Sequence, residues 1–390
     1  MSSFSTIART AGYKPGLAWF AAVGSAWVFV LVTLGAFTTS IGAGMAFADW
    51  PLSNGSLNPR GWLGDLAMFA EHSHRLSGLV MGLVTIGLVV ALGRWEKRAW
   101  LRRLGWAALA IVVIQGLIGG LRVELNDWHL PGFAMSVGEI LRIPHGILAQ
   151  LYVCLLLAIA VACSRLWIER SVPVAPSLSR YGLLCCGLLL VQLTIAATMR
   201  HNQAGLAIPH FPYSTRQGGW LPAAWDFRVG LNFAHRVMAV VLTGTLCGFA
   251  WRIHTDRGAP LLMRLGATLL VTLLSLQILL GAEIIWTLRA PDVTTGHVAA
   301  GALLLATTFL LTWLAHRDRI EANIPGASPG AFAQTCPVVA GVGDPGPASP
   351  RPATTKPKPV VAGVGDPGPA SPRPATTKPK PASEYRTQSE

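Results

Sequence analysis

Charge is scarce in this chain. Of its 390 residues, 13% are charged, against roughly 25% in an ordinary soluble domain. Cysteine is scarce as well, with six residues: Cys154, Cys163, Cys185, Cys186, Cys247 and Cys336. Five lie inside long apolar runs and one near the C-terminus, so no disulfide framework is indicated. There is no CxxC and no CxxCH, which argues against structural zinc and covalently attached haem. A Walker loop and a DxxxD pair are also missing, which argues against nucleotide-driven chemistry and prenyl-diphosphate transfer.

Apolar sequence fills the space. The chain is 52% apolar with a mean hydropathy of +0.48. Leu17 to Ile41 is an unbroken apolar run, too long for the apolar segment of a cleaved signal peptide. Further runs predict spans at 74–92, 104–121, 143–163, 181–199, 229–251, 265–288 and 293–315, each close to the length that crosses a bilayer. The expected fold class is an all-α polytopic membrane protein with eight transmembrane helices.

The net charge of +13 does not point to nucleic acid, because the basic residues sit in short loops and the tail. Arg94, Lys97, Arg98, Arg102 and Arg103 crowd one loop. Arg165, Arg170 and Arg180 mark a second, and Arg252, Arg257 and Arg264 a third. The opposite stretch 42–73 holds only Arg60. By the positive-inside rule both termini are cytoplasmic, and the loops 42–73, 122–142 and 200–228 face outward. A plasma (inner) membrane of bacterial type is expected. Residues 337–380 contain a 22-residue Pro-rich unit twice, starting at Pro337 and again at Pro359. That composition reads as a disordered tail over 316–390.

The apolar region is itself doubled. Ala43-Gly44-Met45-Ala46-Phe47-Ala48-Asp49-Trp50-Pro51 matches Ala204-Gly205-Leu206-Ala207-Ile208-Pro209-His210-Phe211-Pro212, and His74-Arg75 matches His235-Arg236 at the same offset. Gln115 corresponds to Gln277, and His145 to His297 after a shorter loop. The expected organisation is therefore an N-terminal segment 1–16, a four-helix bundle 17–163, a cytoplasmic linker 164–180, a second four-helix bundle 181–315 and the tail.

The repeat isolates His74, His145, His235 and His297, each near the outer end of an even-numbered span. A lone intramembrane histidine is an ordinary packing residue. Two matched pairs at one depth point to axial ligation of haem between helices. His129, His201 and His210 are read as solvated loop residues. His254 and His316 are read as cytoplasmic helix ends, and Gln115 and Gln277 as interhelical hydrogen-bonding residues. Arg75 and Arg236 either snorkel to the interface or pair with haem propionates. At a helix start, Glu71, His74 and Arg75 share one face, while His72 points away and is read as a loop or lipid-edge residue. The two copies differ at Glu71, which corresponds to Asn232. A carboxylate beside one site and an amide beside the other suggests that only the first moves protons. The plainer reading of Glu71 is an anchor at the helix start.

Glu71-xx-His74-Arg75, its echo Asn232-xx-His235-Arg236, the four histidines and the eight spans together resemble the haem A synthase family over residues 17–315. The resemblance implies oxidation of the haem O methyl to a formyl group by successive O2-dependent hydroxylations, giving haem A for terminal oxidases. It implies substrate haem at His74 and His145 with Glu71 catalytic, and a permanent haem b at His235 and His297. Haem O, O2 and an electron donor (quinol or a redox protein) are the implied partners, with haem O synthase and a second copy of the chain as further candidates. Some members carry a cysteine pair in the first outer loop; this chain has none between Ile41 and Glu71. The alternative is a two-haem cytochrome b passing electrons from quinol. It accounts for four histidines but not for the contrast between Glu71 and Asn232.

Overall fold

A computed structural model describes residues 12–132 and 134–322, all within one compact unit. Eight long helices carry the expected spans: α1 (Pro15–Ser40), α2 (Leu66–Trp95), α3 (Ala99–Glu124), α4 (Val137–Cys163), α6 (Pro176–His201), α7 (Phe227–Thr255), α8 (Leu261–Trp286) and α9 (Pro291–Ala315). Two short helices, α5 (Arg165–Glu169) and α10 (Arg317–Ala322), follow α4 and α9. All eight long helices are apolar enough to cross a membrane, and the chain is an integral membrane protein.

The helices extend past the apolar runs because polar residues cap them. Asp65 accepts from Met68 N–H and opens α2 eight residues before the expected start. Glu71 therefore lies inside the helix and is not an anchor at its first turn. Ser136 and Glu139 form a reciprocal capping box on α4, satisfying two otherwise unpaired N–H groups. Asp226 caps α7 through Val229 N–H. Proline opens α1, α6 and α9, where its missing N–H costs nothing.

Helices α1–α4 close a ring through the contacts α1·α2, α2·α3, α3·α4 and α4·α1; α6–α9 close a second ring in the same order. The rings meet where α1 and α4 pack against α6 and α9. Accordingly α4 and α9 are the most enclosed spans, 50% and 61% buried, against 17% for α3 and α6.

At the end away from the histidines, the stretch between the rings is not a free linker. Trp167 stacks on Trp313, and Trp100 meets both rings at an angle. Buried Arg98 pairs with Glu96 at 2.9 Å and donates to Ala162 O at 2.9 Å. Arg317 donates to Trp167 O, and Asp318 accepts from Val172 N–H. Residues 317–322 are thus ordered helix, a correction to a disordered tail beginning at 316. The duplicated unit at 337–380 lies outside the described residues.

Candidate functional site

Glu71 is 1% exposed. A buried carboxylate must be neutralised by partners, and Glu71 has three. Phe47 N–H donates to Oε2 at 3.1 Å. The Arg75 guanidinium, four residues on along α2, donates to Oε1 at 2.7 Å. Arg122, from the last turn of α3, stands 3.9 Å from the same oxygen. The site carboxylate is thus built by two helices and the loop between α1 and α2.

Arg75 also folds that loop. It donates to Asp49 O at 2.7 Å, Leu52 O at 2.6 Å and Phe47 O at 3.1 Å. In the other ring Arg236 donates to Ile208 O at 2.9 Å, Tyr213 O at 3.2 Å and Asn232 Oδ1 at 3.0 Å. Phe47 and Ile208, like Leu52 and Tyr213, are 161 residues apart, the offset of the matched segments. Both arginines are turned onto loop carbonyls, and these contacts compete with the propionate pairing, one of the two alternatives for them. Asn232 is buried and donates its amide to Ala204 O and Gly205 O. A carboxylate has no hydrogen to offer there, so the Glu71/Asn232 difference goes with a change from accepting a loop N–H to donating to loop carbonyls.

His72 is buried, contrary to the lipid-edge expectation. Its ring packs on Trp62 and Phe47, and its Nδ1 lies 3.0 Å from Ser53 Oγ. The reason is the same loop, which folds over this part of α2 and supplies all three partners. Asp49 in that loop is held below the usual carboxylate range by the Gly55 N–H, with help from the Asn54 N–H.

The four expected histidines occupy similar niches. His74 Nδ1 lies 3.2 Å from Leu31 O on α1. A carbonyl only accepts, so Nδ1 carries the hydrogen and Nε2 keeps the lone pair that a metal would take. The His74 ring edge rests on Gly35, where an added Cβ would fall 2.8 Å from Cε1. His145 rests likewise on Gly119 of α3 (3.3 Å), and His297 on Gly281 of α8 (3.2 Å). Gln277 donates its amide to His297 Nε2 at 3.2 Å. Gln192 donates to His235 O at 3.1 Å, and Gln115 to His145 O at 3.0 Å. Nδ1 of His145, His235 and His297 is buried without a partner. His74 on α2 and His145 on α4 belong to one ring of helices, and His235 on α7 and His297 on α9 to the other. Glu71 is bonded to neither imidazole of its pair.

Residues 65–309 match the COX15-CtaA family, described as cytochrome oxidase assembly protein. The chain belongs to this family. It is similar to the haem A synthase of Symbiobacterium thermophilum, 30% identical over 269 residues, which is 66% of this chain and 82% of that protein. It is also similar to the haem A synthases of Shouchella clausii, 26% identical over 76% of this chain and 94% of the relative, and Rhizorhabdus wittichii, 26% identical over 80% and 97%.

Several site residues do not stand out in the sequence. Gly119 and Gly281 stand 162 residues apart, the offset that relates Gln115 to Gln277, so that signal was present. Arg122 and Arg142 are basic residues bordering a loop on the side where few basic residues lie, an irregularity in the charge pattern. Gln192 has no comparable sequence signal. His201 is the last residue of α6 and half-buried, not a solvated loop residue. His129 is exposed as expected. Among the described residues no three His, Cys, Asp or Glu side chains gather as metal ligands, so what the structure offers is histidine pairs. Cys154, Cys163, Cys185, Cys186 and Cys247 are free thiols.

Proposed function

We propose that this chain is a haem A synthase: it converts the methyl group of haem O to a formyl group by two O2-dependent hydroxylations, the second giving a geminal diol that loses water. Family membership supports this. The observation that carries the assignment of roles is the asymmetry between two half-buried histidine pairs, only one of which has a buried carboxylate on the same helix, Glu71.

The residues present fit haem. The donors are half-buried imidazoles in pairs, each pair held within one four-helix ring, and three of the imidazoles are seated against glycine; the Gln277 amide now on His297 Nε2 would turn aside for an iron there. In this reading His74 and His145 hold the substrate haem, and His235 and His297 hold a resident haem b. Bound haem supplies the oxidising power that breaks a methyl C–H bond and the one-electron steps that accompany it. Residues 17–163 form the substrate half, 164–180 the connection and 181–315 the cofactor half, two copies of one ancestral unit.

Glu71 takes and returns the protons of each hydroxylation. Arg75 and the Phe47 N–H hold its carboxylate in place, so its proton transfer starts from one geometry. Asn232 does no proton chemistry and only ties its loop down. Arg75 and Arg236 clamp the loops above the two sites. Electrons enter from quinol or a redox protein through the second half. Both termini lie in the cytoplasm and both sites near the outer face, and haem O synthase and a second copy of the chain are candidate neighbours.

The test is Glu71→Gln. The amide keeps the shape but exchanges no proton, so haem stays bound while formyl product falls by about 10²–10⁴-fold, the span of positioned proton transfer. Asn232→Ala should keep most of the activity. Haem extracted from cells supplying haem O would be separated and quantified; wild-type formyl yield from Glu71→Gln would remove its catalytic role.

A further inference from the structure

The first site holds more positive charge than its own acids balance. Arg75, Arg122 and Arg142 surround it, and Glu71 is the one carboxylate in ion-pair contact with any of them among the described residues. Glu71 is already taken by Arg75 at 2.7 Å and Phe47 N–H at 3.1 Å, leaving Arg122 with a 3.9 Å contact. Arg142, on α4, gives one bond to Asn126 Oδ1 at 2.9 Å, and its Nε is buried with no partner. Of the nearby acids, Glu139 accepts from Ser136 N–H and Asp127 from Asn126, and Glu124 is exposed. Arg142 reaches across to Asn126 in the turn that ends α3, and the Asn126 N–H bonds Val123 O, next to Arg122, so both guanidiniums belong to one end of the α3–α4 pair. Both flank His145: Arg142 stands three residues before it, and Arg122 three residues after Gly119, on which its ring rests. Two adjacent, under-used guanidiniums with fork geometry suit a pair of carboxylates.

We propose that Arg122 and Arg142 are the clamp for the two propionate carboxylates of the haem bound at His74 and His145. This rests on the reading of that pair as the substrate site. It also separates the two halves. The residues corresponding to Arg122 and Arg142 at the repeat offsets are Ile284 and Thr294; the arginines of the second half stand elsewhere, with Arg200 on Ala36 O and Ser40 Oγ and Arg289 on Gln203 Oε1.

The test uses the full chain in detergent with its second-site haem in place. The probes are ferric protoporphyrin IX and its dimethyl ester, which lacks both carboxylates, and binding is followed by absorbance. Wild type should bind the dicarboxylate about ten- to hundredfold tighter than the ester, the range of a charge-assisted hydrogen bond. R122Q and R142Q should each narrow that ratio, and the double variant should abolish it. R122K/R142K should restore part of it, while an unchanged second-site spectrum marks a folded protein. Equal binding of both probes to wild type, or a preference that survives in R122Q/R142Q, overturns the clamp and leaves the substrate-site reading intact. No binding beyond the second-site haem in wild type overturns both. Loss of the first-site signal for both probes in H74A, with the second-site spectrum kept, supports the site on which the clamp depends.

Discussion

At the residue scale, Arg75 does more for the first site than any neighbour except Glu71. Four of its five N–H groups are used, three of them on loop carbonyls. Arg75→Met leaves Glu71 buried with its nearest cation gone. That should destabilise the region by on the order of 3 kcal/mol, as when one partner of a buried pair is removed. Limited proteolysis should then cut the loop between α1 and α2 faster than in wild type, and an unchanged cutting rate would show that the loop stands without the clamp. The pairing of Glu71 with Arg75 was legible, because residues four apart share a helix face. The contacts to Phe47, Asp49 and Leu52 were not, since they depend on how a distant loop folds back. The same loop hid the burial of His72. Arg122 was hidden too, because its approach to Glu71 depends on how α3 packs beside α2.

At the element scale, hydrophobic length announced all eight spans, and the caps explain why the helices run a few residues further. The apolar runs say nothing of which helix faces which. The meeting of α1 and α4 with α6 and α9 comes from packing, and so does the seating of imidazoles on glycines of neighbouring helices. That seating makes a prediction. Gly281→Val puts branched bulk where a single Cβ already lies 3.2 Å from His297 Cε1. Overpacking of this kind costs about 1–3 kcal/mol, and here it acts on a proposed ligand. Gly281→Val should deplete the second-site haem while sparing the first, and Gly35→Val, beside His74, should do the reverse. Haem content per chain, measured with His235→Ala and His74→Ala as references, checks both. Equal loss from either variant would mean that the glycines serve general packing.

At the scale of the whole molecule there are two four-helix rings, and the proposed function divides the work between them. One keeps a buried carboxylate and an excess of guanidinium at its histidine pair, and the other has a neutral amide in the matching place. In the proposed orientation, which follows the basic loops, the histidine end lies outside. Cysteines introduced at Asn58 and at Gln217 should react with a membrane-impermeant thiol reagent added to intact cells or spheroplasts, and one at Arg103 should not; the reverse pattern would invert the molecule. The most direct measurement is chemical. The wild-type chain would be expressed with a haem O supply and oxygen, and the extracted haems separated. The account predicts haem A in the extract, with haem O accumulating when the chain is omitted. If the haem-loaded protein yields no formyl haem, while quinol rapidly reduces both haems, the chain is an electron-transfer cytochrome and the account is contradicted.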